Sequence, residues 1–166
     1  MEQPLITAVT HSTDEARVTL VGVPDEPGAA ARIFEALAGA NVNVDMIVQN
    51  EPTTAGGLAE ISFTVPRDDL RVSRTALQPL TGEAFADMTT HEEMGKVSII
   101  GAGMRSHPGV AAKVFSVLAA EGVNIEMIST SPIKISCVID RSLVVRAVQV
   151  LHSAFELSGP GTSIPE

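Results

Sequence analysis

The 166-residue chain has a formal net charge of -9 and is 45% hydrophobic but only 19% charged, enough to bury one core of ordinary size or two small ones. Its few lysines (Lys96, Lys113 and Lys134) are scattered and it has neither Trp nor Tyr, which argues against nucleic acid or an anionic membrane as the partner. A lone Cys137, a start at Met1 without a basic or apolar leader, and no run near the roughly 18 apolar residues of a membrane span point to a cytoplasmic protein without internal disulfides.

In chain order, residues 5–10 read as an apolar strand and Arg17–Val23 as a second one. Asp25-Glu-Pro-Gly28 breaks the chain, and Ala29–Ala40 follows with Ala30, Ile33, Phe34 and Leu37 at helical spacing. Strands are predicted over Asn41–Gln49 and Leu58–Val65, with a turn across residues 53–57 between them, then a helix over Asp68–Leu80 and a short strand over Phe85–Thr90. The second half repeats the order: a strand over Lys96–Ala102, a helix from Pro108 to Glu121, strands over Asn124–Ser129 and Ile133–Ile139, and a helix over Arg141–Ala154.

The correspondence is one of residues as well as of elements. Pro27-Gly28 and Val42-Asn-Val-Asp-Met-Ile47 return 81 residues later as Pro108-Gly109 and Val123-Asn-Ile-Glu-Met-Ile128. Ahead of the turns, Val18-Thr-Leu-Val-Gly22 returns as Val97-Ser-Ile-Ile-Gly101. The expected fold is therefore α+β, two ferredoxin-like βαββαβ domains over residues 15–92 and 93–156. The Gly/Pro-rich residues 157–166 suit a flexible tail rather than a closing strand. Residues 4–11 are expected to cross over as the missing fourth strand of the second domain, interlacing the two.

This pattern resembles the ACT domain, a small regulatory fold that binds amino acids. Ile100-Gly-Ala-Gly-Met-Arg-Ser-His-Pro-Gly109, Val123-Asn-Ile-Glu-Met-Ile-Ser-Thr-Ser131 and Ile133-Lys-Ile-Ser136 look like the C-terminal tandem ACT region of aspartokinases, over nearly the whole chain. The sequence departs from the common family wording at Pro132 and at Leu58-Ala59. The family's amino-terminal kinase domain has no counterpart in these residues. The resemblance thus implies a separate regulatory (beta) subunit, not itself an enzyme, that binds threonine, alone or with lysine. It would dimerise through its ACT domains and transmit feedback inhibition to a catalytic (alpha) subunit in lysine, threonine and methionine biosynthesis. No cofactor other than that effector is implied.

A free amino acid presents a carboxylate, an ammonium and a side chain, each needing its own partner. Pro27, Gly28, Ala29 and Ala30 open a helix, where free backbone N–H groups and the helix dipole suit the carboxylate. Asp25 is placed to meet the ammonium. Asn43, Asp45 and Gln49 alternate with apolar neighbours, so on a regular strand they share one face, with Val44 between them. Gln49 offers both a donor and an acceptor for a ligand hydroxyl. The second copy has Ser106, His107 and Thr130 in the corresponding region, and the resemblance implies that Asn124, Ile125 and Ser131 close a pocket begun by Asp25–Ala30.

Other motifs are weaker. Gly101-Ala-Gly103 opens like a dinucleotide fingerprint, but Ser106 stands where the third glycine belongs. His11, His91, His107 and His152 have no metal-ligand spacing. Cys137 alternates with Ile133, Ile135 and Ile139, as a buried thiol in a strand does. A small acid/base enzyme using Asp45, Glu126 and His107, and an assembly subunit without effector, are the competing functions.

Overall fold

The computed structural model describes residues 5–52, 56–102, 107–157 and 164–165. The chain divides into two compact units, one of residues 14–92 and one joining residues up to Thr13 to those from Glu93 onward.

The 14–92 unit contains the later part of β1 (Leu5–Pro24), α1 (Ala29–Gly39), β2 (Ile47–Asn50), β3 (Leu58–Pro66), α2 (Leu70–Leu77) and the start of β4 (Asp87–Ala102). Short 3₁₀ turns at Arg67–Asp69 and Gln78–Leu80 flank α2. Its strands lie in the order β2-β3-β1-β4, with the β1–β3 and β2–β3 pairs antiparallel. Alternation places Val18 opposite Phe63 and Leu20 opposite Ile61 on the helix side. There they meet Ala29, Ile33 and Leu37, the residues that α1 buries at four-residue spacing. Phe34 packs edge-on against Phe63, ring centres 5.4 Å apart.

The other unit has β4, α3 (Gly109–Ala120), β5 (Met127–Ser131), β6 (Lys134–Asp140), α4 (Val144–Ala154) and the first part of β1, in the sheet order β1-β4-β6-β5. Counted from its own first strand, this is the order of the 14–92 unit. The fourth place is filled from the N-terminus: Val9 is buried in one core with Val97, Ile99, Leu118 and Ile139, Ile6 packs against that core, and Thr7 Oγ1 donates to Ile100 O at 3.2 Å. Each unit is thus a ferredoxin-like domain, and the N-terminal strand interlaces them.

The repeat extends to polar detail. Thr19 and Ser62 hydroxyls lie 2.9 Å apart in one unit, Ser98 and Ser136 hydroxyls 2.8 Å apart at the equivalent place in the other. Asn41 and Gly122 both take left-handed backbone (φ 59 and 70) after their helices, and the next amides, Val42 and Val123, return to Leu37 O and Leu118 O at 3.0 Å. That satisfies carbonyls the helix end leaves open.

Four expectations are corrected. The strands expected over 5–10 and 17–23 are one strand, as are those over 85–90 and 96–102. The strands expected from Asn41 and Asn124 begin only at Ile47 and Met127, because the residues just before them bond irregularly: Asp45 N donates to Thr64 O and Thr64 N to Met46 O, both at 3.0 Å, so Asp45 and Met46 share one partner, and Glu126 N donates to Val138 O at 2.8 Å. Ile133 lies before β6 and is exposed, outside the buried set of Ile135, Cys137 and Ile139. The tail pairs a two-residue strand β7 (Ile164–Pro165) in parallel with Thr10 and His11. Residues 158–163 and 166 of the expected flexible tail, and 53–55 of the expected turn, lie outside the described residues.

Candidate functional site

In the 14–92 unit the end of β1, the start of α1 and the end of β2 converge. Asp25 N donates to Gly57 O at 3.0 Å, tying the loop after β1 to the residue before β3. Glu26 N donates back to Pro24 O, and Ala29 N to Glu26 O, which folds Pro27-Gly28 into the turn that starts the helix. Gly28 has φ 91, open to glycine without strain, and a Cβ built on it would meet nothing within 4 Å. No side chain caps this helix and no acidic residue lies in its first turn, although Ala29 N is already taken by Glu26 O. Pro27 and Gly28 are exposed, Ala29 is buried in the core and Ala30 half-buried.

A cleft of about 500 Å3 is lined by Asp25, Gln49, Glu51, Pro52 and Gly57; Pro27, Gly28, Ala29 and Ala30 are not among its lining residues. Two residues singled out from sequence, Asp25 and Gln49, therefore share one cavity. Such a cleft offers an anionic group for an ammonium and an amide that both donates and accepts.

Asn43, Val44 and Asp45 are not among the residues lining that cleft. They sit in the segment ahead of β2, with Asn43 and Asp45 exposed and Val44 packed against the core. The shared face expected for Asn43, Asp45 and Gln49 does not form, because the strand phase slips at Met46: Met46 N donates to Thr64 Oγ1 at 3.1 Å and Ile47 takes the place opposite Phe63. Glu51 and Pro52 were not expected at the site. Their only signal is closeness to Gln49, two residues on for Glu51 and three for Pro52, just ahead of a Gly-rich turn.

The remaining predicted residues belong to the other unit. Asn124 is exposed, with Nδ2 3.5 Å from Glu126 Oε1, Ile125 is half-buried against that unit's core, and Ser131 is exposed with its hydroxyl accepting from Ile133 N at 3.4 Å. Ser106 lies outside the described residues. Among the described residues no cluster of three His, Cys, Asp or Glu could hold a metal ion, and no helix is long and apolar enough to cross a membrane.

Cys137 is buried in the core, and burial pushes its thiol up to about 11. Thiolate is the reactive form, so at pH 8 only about one folded molecule in a thousand presents it. Iodoacetamide is expected to label the native chain far more slowly than the urea-unfolded chain, with labelling rising as pH approaches 11. Equal rates in the two states at pH 8 would contradict this.

Known proteins match both units and nearly the whole length. Residues 17–82 and residues 97–155 each match a family model described as an ACT domain. Aspartokinase of Mycobacterium bovis is 48% identical over 160 residues, which is 96% of this chain but 38% of that protein, so the chain spans well under half the length of this curated relative. A solved structure of aspartokinase alpha and beta subunits matches with TM-score 0.83 and 45% identity, covering 92% of this chain and 99% of the matched one. The regulatory subunit of aspartate kinase from Thermus flavus matches with TM-score 0.83 and 38% identity, covering 91% and 99%. With two ACT domains in tandem and full-length likeness to such subunits, the chain belongs to the aspartokinase regulatory family.

Proposed function

We propose that this chain is a non-catalytic amino-acid sensor: it binds threonine, alone or together with lysine, and transmits feedback inhibition to a catalytic aspartokinase (alpha) subunit in the cytoplasmic synthesis of lysine, threonine and methionine. The observation that carries the reading is the cleft that Asp25 and Gln49 both line, with Asp25 on the loop that leads into α1. Asp25 takes the ligand's ammonium, the amides at the start of α1 its carboxylate, and Gln49 its hydroxyl. Asn43, Val44 and Asp45 support the strand that carries Gln49. Asn124, Ile125 and Ser131 are assigned to closing the pocket, the role that the family resemblance implies. No cofactor, nucleic acid or membrane enters the mechanism.

Inhibition works by population shift, the effector favouring one packing of paired ACT domains that holds the kinase inactive. Millimolar binding requires only about -4 kcal/mol, within reach of a few charge-assisted hydrogen bonds. A tenfold preference for the inhibited form needs about 1.4 kcal/mol of differential affinity. Homodimerisation is supported by the sheet edges: β2 and β5 end their strand orders, and each carries an exposed isoleucine at the same repeat position, Ile47 at 53% and Ile128 at 43%.

Titration calorimetry tests the reading. The parent chain is expected to bind threonine or lysine saturably. Asp25→Ala is expected to weaken binding by at least about tenfold, since it removes a charged hydrogen-bond partner. Gln49→Ala costs severalfold. Undiminished affinity in Asp25→Ala, or no heat in the parent with either amino acid, would overturn it.

A further inference from the structure

We infer that Gly22 is a positioning residue for effector binding, because the bulge it makes in β1 aims Asp25 at the cleft; the inference rests on the sensor reading above. Along β1, Val21 lies opposite Glu60, but Val23 rather than Gly22 lies opposite Ala59, so one extra residue is inserted at Gly22. Gly22 has φ +73, which side chains other than glycine rarely adopt. A Cβ there would stand 2.7 Å from Ala86 Cβ, and Ala86 N donates to Val21 O at 2.8 Å, so the backbone is pinned where it bulges.

An inserted residue reverses the alternation of everything after it. Leu20 and Val23 are both buried, at 0% and 1%, three residues apart where an unbroken strand would bury every second residue. Three residues beyond Gly22, Asp25 N meets Gly57 O and Asp25 lines the cleft with Gln49. Without the bulge, Val23 would leave the core and the approach to Asp25 would turn to the opposite face of the sheet. Neither Gly22 nor Ala86 lines the cleft, so their effect reaches the ligand only through the path of the backbone.

The test combines backbone amide exchange with threonine and lysine titrations on the parent, Gly22→Ala, and Gly22→Ala with Ala86→Gly. In Gly22→Ala the Asp25 amide is expected to exchange about tenfold faster and affinity to fall about tenfold, the scale of a strained backbone position, while Val18 and Leu20 amides keep their protection. Ala86→Gly removes the facing methyl and is expected to restore part of both losses. Should alanine prevent folding, Gly22→Asn, which tolerates positive φ but still adds a Cβ, is expected to give the same selective loss at Asp25. Parental exchange and affinity, or loosening of all β1 amides alike, would overturn the inference. A parent that binds neither amino acid would overturn the sensor reading instead, and the aim of Asp25 would then be judged on its amide exchange alone.

Discussion

Gly95→Ala is expected to destabilise its unit by about 3 kcal/mol, the upper end of the cost of overpacking a core. Gly95 sits in β4 opposite Ile139, and a Cβ there would stand 2.2 Å from Val144 Cγ2 and 2.9 Å from Ser12 O. The first obstacle is the buried, β-branched first residue of α4, and the second is the backbone of the N-terminal strand, so neither can retreat cheaply. Urea unfolding followed by circular dichroism reads the effect as a lower midpoint at constant slope. Adding Val144→Ala is expected to recover only part of the loss, because it removes the methyl contact but not Ser12 O and leaves a void of its own. Gly95→Ala at parental stability would mean that the N-terminal strand does not pack as closely as described.

Phe63→Ala carries an effect of similar or greater size, about 3–5 kcal/mol, for a fully buried aromatic side chain lost from a packed core. Phe63 occupies the centre of the 14–92 sheet, opposite Val18 on one side and Ile47 on the other, and meets Phe34 of α1 edge-on. Phe63→Leu keeps most of the volume and is expected to cost about 1.5 kcal/mol or less. A cycle of Phe34→Leu and Phe63→Leu isolates the ring-to-ring part, expected at about 0.5–1.5 kcal/mol. Because Phe63 bridges the strand that leads to Asp25 and the strand that carries Gln49, its truncation is also expected to weaken effector binding, though Phe63 does not line the cleft.

Much of this architecture was legible because the chain repeats itself. Pro27-Gly28 and Pro108-Gly109 mark two helix starts, the Val-Asn strings mark two strand approaches, and the missing last strand of the second copy pointed to the N-terminus, where Val9 now fills that core. Strand ends were less legible. Periodicity registers side chains, so the polar runs around His11–Glu15 and His91–Glu93 read as breaks, yet β1 and β4 run through them as continuous strands. The phase slip at Met46 is invisible to alternation because a backbone amide bonded to the Thr64 hydroxyl causes it. Asp25 and Gln49, singled out for their chemistry, both line the cleft, whereas Glu51, Pro52 and Gly57 reach it only through the path of a loop.

Occupation of the cleft lined by Asp25 and Gln49 by an amino acid is tested most directly by a threonine titration followed by backbone amide NMR. The predicted result is saturable shifts centred on Asp25, Gly28, Ala29, Ala30 and Gln49, abolished by Asp25→Ala. Saturable shifts confined to other residues, or no shifts with either threonine or lysine, would contradict it.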